Sequence, residues 1–424
     1  MESKNTLPNL WHVFNLRDSP YFQETLGSTE HAYPLDLFIG REKEETHLLT
    51  TIGSSKSSRQ AIGGTPGIGK TTLVQSVKAK AIDAGYWAAD GLIALYGNDT
   101  LGSVLGRLLS ALYDTILSAR PMIGENHAMQ SAQQLVRVSR LMSGGANINI
   151  PGLGGAGFSK STTVMTPGDG ILLDGPRIMR DLLDLVRSGE GSGVILHLDN
   201  LENLTEKEVD SAADILRSLR DQVLMLEGLH ILLVGTTPAV QAATGMHTQV
   251  RSVFRAPLVL EPLPVDDVQA LLATRYRYLA LDGRIPIPPI SPDTIAALYP
   301  LFQGDLRSLI SALEDGARLL VGVAPMGEPI SLDDLRPALR QWYRQLLQQR
   351  LEGKRQEQLE AWGDSDPANP QTQKTLKDLW GVSQGAVSMA LSDLEGQGYV
   401  LPMPRDGKAP IQYVLSGVSH LIFG

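Results

Sequence analysis

The sequence predicts an α/β protein built on a parallel sheet, followed by a helical segment and a small C-terminal winged helix-turn-helix. Three observations carry that expectation. Strand-sized apolar runs alternate with helical stretches from residue 60 to residue 260, the pattern of a parallel sheet with helices on both faces. After Pro264 the strands cease, and helical periodicity runs to Trp362. The remaining residues switch to helix-turn-helix spacing followed by a short β-ribbon. At 424 residues and roughly 150 residues per domain, two or three domains are expected.

In chain order, residues 1–34 read as an N-terminal extension and 35–263 as the α/β core. The core opens with a strand at 60–63 and a helix at 70–84, then a strand at 91–96 and helices at 101–119 and 128–141. Residues 143–170 are rich in Gly, Ser and Thr and read as an inserted hairpin: 147–150 alternate, 151–157 turn and 158–164 are β-prone. A helix at 176–187, an apolar strand at 193–199, a helix at 206–226 and strands at 230–235 and 256–260 complete the core. A helical segment follows at 264–330, with a proline-rich stretch at 282–292. Residues 331–369 read as a connecting helix and linker, the linker character being strongest at 363–372, and 370–424 as the winged helix.

Composition excludes several classes. Hydrophobic residues make up 42% and charged residues 20%, so wholesale disorder is ruled out. The absence of Cys removes disulfides, thiolate zinc sites and cysteine nucleophiles, and fits a reducing cytoplasm. A net charge of −9 argues against coating nucleic acid by bulk charge, though not against a local DNA-binding patch. No run approaches the ~18 apolar residues that span a bilayer, and the polar N-terminus lacks an apolar signal core. A soluble, cytoplasmic protein is expected.

Gly64-Thr65-Pro66-Gly67-Ile68-Gly69-Lys70-Thr71 fits G-x-x-x-x-G-K-[ST] and falls between the first strand and the first core helix, the context this motif requires. Its glycines let backbone N–H groups turn toward phosphate oxygens, and the helix N-terminus adds a favourable field. Lys70 is expected to reach the β- and γ-phosphates and Thr71 to hold Mg²⁺, with Thr72 completing the first turn. ATP and Mg²⁺ are therefore the expected ligands. The strand 193–199 ends in Asp199. A strand buried on both faces accommodates a carboxylate at its C-terminal edge, where α/β sheets bind ligands. Asp199 is expected to share the Mg²⁺ site. Asn200 follows it; an amide cannot accept a proton, so hydrolysis is slow or relies on Glu202.

Further segments complete a pattern. They are Phe38-Ile39-Gly40-Arg41-Glu42, the strand end at Thr236 and Thr237, Arg251 and Arg255 ahead of the last core strand, and Gly304-Asp305-Leu306-Arg307. With the phosphate loop and Leu196-His197-Leu198-Asp199-Asn200-Leu201-Glu202, the chain resembles an AAA+ ATPase. More narrowly it resembles the archaeal and eukaryotic origin-recognition and cell-division-control initiator group, over residues 35–320 with a further match at the C-terminus. That group's acidic strand reads h-h-h-h-D-E-h-D; here the first Glu is replaced by Asn200, which sets rapid turnover aside and leaves nucleotide binding. The resemblance implies that Gly40 and Arg41 lie near the adenine and that Thr236 or Thr237 senses the γ-phosphate. It also implies that 264–330 is a lid whose Arg307 reaches over the phosphates. Either Arg251 or Arg255 would be presented to the nucleotide of a neighbouring subunit, so a homo-oligomer forms with ATP.

At the C-terminus, Leu376, Leu379 and Trp380 mark a buried face, Gly381 permits the turn and Ser383 caps the next helix. Gln384, Gly385, Ser388 and Asp393 point outward, and Arg405 and Lys408 flank the wing. Such a helix enters a major groove of double-stranded DNA. Lys374, Lys377, Arg405 and Lys408 are balanced by Asp378, Asp393, Glu395 and Asp406, so one copy binds weakly. The preceding helix is more basic, with Arg336, Arg340, Arg344, Arg350, Lys354 and Arg355. Two functions are expected. One is a slow ATP hydrolase that assembles with ATP and engages DNA to recruit partner machinery. The other is a nucleotide-controlled switch in signalling, transcription control or antiviral defence, whose winged helix contacts a protein.

Overall fold

The computed structural model describes residues 9–24, 26–27, 32–89, 91–143, 167–189, 191–321, 327–351, 353–403 and 409–424. Most of the expected 143–170 hairpin and the wing turn with Arg405 and Lys408 lie outside the described residues. The chain divides into two compact units, one of Thr25–Leu260 and one that joins Met1–Glu24 to Glu261–Gly424.

The first unit runs α1 (Glu42–Gly53), β1 (Ser58–Gly63), α2 (Lys70–Asp83), β2 (Trp87–Ala88), β3 (Ile93–Ala94), α3 (Leu101–Ala119), α4 (His127–Ser143) and α5 (Pro167–Ser188). It continues through β4 (Val194–Asp199), α6 (Glu206–Leu219), β5 (Leu229–Gly235), α7 (Thr237–Gly245), α8 (Thr248–Arg251) and β6 (Leu258–Val259). The sheet order is β2-β4-β5-β1-β6, with β3 also on β4, and every pairing is parallel. All of β4 and β5 is buried, which explains their near-continuous aliphatic sequence. Alternation divides them between two cores. Leu196, Leu198, Ile231 and Leu233 face the α3–α7 side, whereas Ile195, Leu232 and Val234 face the α1–α2 side.

Three elements differ from expectation. The strand expected at 91–96 is two residues long, and β2, which the sequence pattern missed, precedes it. The helix expected to begin at Pro176 begins at Pro167 and carries Pro176 in its interior. Ile171 is buried in the same core as Ile178 and Met179, so packing against α3 and α4 extends the helix through a proline that would end it in isolation. The helix expected to run to 226 loosens into a π-helical turn at Arg220–Leu224.

The second unit contains α9 (Val265–Tyr278), α10 (Pro292–Leu298), α11 (Leu306–Leu320), α12 (Leu332–Arg350), α13 (Lys354–Ser365), β7 (Gln371–Thr372), α14 (Gln373–Trp380), α15 (Gln384–Gly396), β8 (Val400–Pro402), β9 (Gln412–Leu415) and α16 (Gly417–Phe423). Its small antiparallel sheet has the order β7-β9-β8. Residues 9–24, expected to belong to an N-terminal extension, are built into this unit. Trp11, Phe14, Leu16, Tyr21 and Phe22 are buried, and Arg275 of α9 donates to the Phe22 carbonyl at 2.8 Å. The stretch expected to be a linker at 363–372 is helical at 363–365 and strand at 371–372, with an irregular segment at 366–370 between them. Gly363 lies buried in α13, and a β-carbon there would sit 2.3 Å from Phe423 Cγ. Leu379, expected inside, is 41% exposed. Leu376 is buried, and Trp380 instead donates its indole N–H to the Gln358 carbonyl at 2.8 Å.

Candidate nucleotide site

The carboxyl ends of β1, β4 and β5 meet at one edge of the sheet, where Gly63 pairs with Gly235. From β1 the chain enters the phosphate loop. Gly67 and Gly69 take φ of +79° and +96°, values that glycine adopts without strain, and Gly69 caps α2 in the left-handed conformation. Gly64 is confined by contact: a β-carbon would lie 2.9 Å from Ile68 Cγ2. Thr65 and Pro66 are exposed at the tip, Ile68 is buried, and Thr71 and Thr72 are half-buried in the first turn of α2.

Lys70 is buried, and its ammonium donates to the Gly64 and Thr65 carbonyls at 3.1 and 3.0 Å. Glu202 Oε2 lies 3.6 Å from the same nitrogen. Thr71 Oγ1 lies 3.5 Å from Asp199 Oδ2. Lys70, Thr71, Asp199 and Glu202 are therefore gathered at one point. Burial alone would raise the Asp199 carboxyl, but His197, the Asn200 N–H and Lys70 more than offset this and hold its pKa below the usual carboxylate value. His197 Nε2 is 3.3 Å from Asp199 Oδ2. Burial pushes this imidazole below the usual histidine range, with Lys78 adding and Asp199 opposing.

Asn200 takes a left-handed φ of +81°. Its side chain turns away from the loop and donates to the Leu95 carbonyl at 2.8 Å, while Leu95 N–H donates to the Asp199 carbonyl at 3.0 Å. It thus ties the end of β4 to the end of β3. Asn is among the few residues that tolerate this backbone.

Other expected site residues are placed as follows. Thr236 caps α7, accepting from the Ala239 N–H at 3.4 Å. Thr237 approaches the loop strand so closely that a β-carbon on Gly63 would lie 3.0 Å from its Cα. Gly40 takes a φ of +84°. Arg41 is buried and donates to the Ile68 carbonyl at 3.3 Å and to Glu44 at 3.0 Å. These bonds brace the phosphate loop from behind. Arg251 is exposed and donates to the Gly245 carbonyl, and Arg255 is exposed with no ion pair among the described residues. In the second unit, Gly304 takes a φ of +85° against Pro262, and Asp305 caps α11 by accepting from Ser308 N–H at 3.0 Å. Gly-Asp-x-Arg therefore starts a helix and leaves Arg307 exposed. Gln384, Gly385 and Ser388 are exposed on α15, whereas Asp393 pairs with Arg355 at 2.8 Å.

Sequence reading passed over His197. The signal was present: a histidine two residues before Asp199 in an otherwise apolar strand shares its face.

No family model matches the chain, and no curated protein matches it. Among solved structures, the Aeropyrum pernix Orc1 protein in complex with DNA aligns with 91% of this chain and 92% of its own at 15% identity and a TM-score of 0.44. Cdc6p from Pyrobaculum aerophilum aligns with 95% of both chains at 15% identity and a TM-score of 0.45. The Aeropyrum pernix ORC2 protein, in ADPNP–ADP complexes, also aligns with 95% of both at 14% identity and a TM-score of 0.45. This chain is similar to these archaeal proteins over most of its length, while its α/β class is established by its own parallel sheet.

Proposed function

We propose that this chain is an ATP-binding AAA+ protein that hydrolyses ATP slowly, assembles with ATP and engages double-stranded DNA to recruit partner machinery. The observation that carries the reading is the meeting of Lys70, Thr71, Asp199 and Glu202 beneath one phosphate loop. The donor set fits Mg²⁺. One hydroxyl and one carboxylate are hard oxygen ligands, and Mg²⁺ is commonly held by one or two protein oxygens together with phosphate and water. Among the described residues no group of three His, Cys, Asp or Glu forms a self-sufficient metal cage. Mg²⁺ would neutralise phosphate charge there. Lys70 would bind the phosphates, and the loop N–H groups would orient them. Glu202 would take the proton of the attacking water, and its indirect placement two residues beyond Asn200 supports slow turnover.

Isothermal titration of ATP with Mg²⁺ tests the site. Lys70→Ala should lose nucleotide binding, and an unchanged affinity would sink the proposal. The exposed face of α15 favours a second reading. It carries Gln384, Gly385, Ser388 and Met389 without a cation, and Met389 is 65% exposed. A protein partner suits such a face, and the DNA titration described below separates the two.

A further inference from the structure

β4 is buried along its whole length, and Val194, Ile195, Leu196 and Leu198 suit that setting. His197 does not. Its side chain is 0% exposed, and neither ring nitrogen makes an aligned hydrogen bond among the described residues. A buried polar atom without a partner costs stability, and a leucine would fill an all-apolar strand without that cost. Nε2 has an acceptor within reach, Asp199 Oδ2 at 3.3 Å, the oxygen that also faces Thr71 Oγ1 at 3.5 Å. The second carboxylate oxygen, Oδ1, accepts the Asn200 N–H at 2.7 Å.

We propose that His197 is a positioning residue for the Mg²⁺ site. A neutral imidazole with its proton on Nε2 needs only a slight turn of the ring to donate to Asp199 Oδ2, while the Asn200 N–H holds Oδ1. With a donor on each oxygen, the carboxylate keeps one plane and presents its remaining lone pairs beside Thr71. Partners of this kind around a metal ligand typically change metal affinity by 10–100-fold when removed. The inference rests on Asp199 being the carboxylate that faces Mg²⁺.

The test uses the full-length chain with methylanthraniloyl-ATP, whose fluorescence is followed during Mg²⁺ titration, and thermal melting without nucleotide. His197→Leu should raise the Mg²⁺ midpoint about tenfold while melting at or above the wild-type temperature. His197→Gln, whose terminal amide can also donate, should recover most of the shift. Asp199→Asn serves as the control. If Asp199→Asn raises the midpoint and His197→Leu does not, His197 is a packing residue and the inference is overturned while the site reading stands. If Asp199→Asn leaves the midpoint unchanged, the site reading itself fails. Should His197→Leu not fold, His197→Asn, which shortens the reach to Oδ2, must still raise the midpoint, and an unchanged value overturns the inference.

Discussion

Asn200 stands where a catalytic glutamate would be expected, and its backbone explains its chemistry. At φ +81°, a glutamate would be strained, whereas Asn is tolerated and bonds the Leu95 carbonyl. Glu202, 3.6 Å from Lys70, is the carboxylate left facing the loop. Glu202→Gln should lower phosphate release by on the order of 100-fold, the scale of a lost general base. Asn200→Gly, which keeps the left-handed backbone, should change it far less. Equal rates for wild type and Glu202→Gln would remove Glu202 from the mechanism. A second residue sets a pH dependence. His230 is buried at the start of β5 and bonded to Ser58 Oγ at 2.8 Å, and burial, aided by Arg59, pushes its pKa down to about 4 from 6.5. Between those values the unfolded chain binds the proton first. Stability is therefore full above pH 6.5 and is lost as pH falls toward 4. Between pH 7 and pH 5 the loss should be about 2 kcal/mol. Urea unfolding at the two pH values, compared with His230→Asn, checks this; an identical difference in both proteins would refute it.

Elements show where local pattern yields to packing. α3 begins at its capping box, with Thr100 and Ser103 bonding reciprocally, and its bounds match the expected 101–119. α5 overrides its internal proline because Ile171 is buried with Ile178 and Met179. α13 runs three residues into the stretch that reads as linker, ending at Ser365, because Gly363 makes room for the Phe423 ring of α16. Gly363→Ala should therefore overpack this contact and destabilise the second unit by about 1–3 kcal/mol, read as a lower melting temperature. The same substitution at Gly385, where an added β-carbon would meet nothing within 4 Å, should be nearly neutral.

For the whole molecule, the two units are linked at two chain crossings, because residues 9–24 pack with the C-terminal unit while 25–260 form the other. The net charge of −9 and an exposed face of α15 that carries Asp393 and Glu395 but no cation would make one copy a weak DNA ligand. Several copies assembled around ATP would sum small contributions, with Arg251 or Arg255 presented across a subunit boundary. Anisotropy of labelled duplex DNA should be cooperative in protein, steep in salt and weaker with ADP than with ATP, with light scattering showing assembly at saturating ATP and Mg²⁺. Tight, non-cooperative binding indifferent to nucleotide would reject the coupling, and no binding in any state would favour a protein partner for α15.

The sequence by itself determined the parallel α/β class and the position of the glycine-rich loop between β1 and α2. Both are local signals: aliphatic runs buried on two faces, and glycines at positions of positive φ beside a Lys and a Thr. It also placed Asp199 at a strand end, since a buried parallel strand has room for a carboxylate only there. Tertiary structure decided which groups meet. Glu202 faces Lys70 because Asn200 turns the chain, His197 reaches Asp199 because both project from one face of β4, and Arg41 braces the loop through the Ile68 carbonyl. The N-terminal segment joined the C-terminal unit for the same reason. Its five apolar anchors have no periodic signal of their own, and their place is fixed only by a surface more than 230 residues away, as in the bond from Arg275 to Phe22.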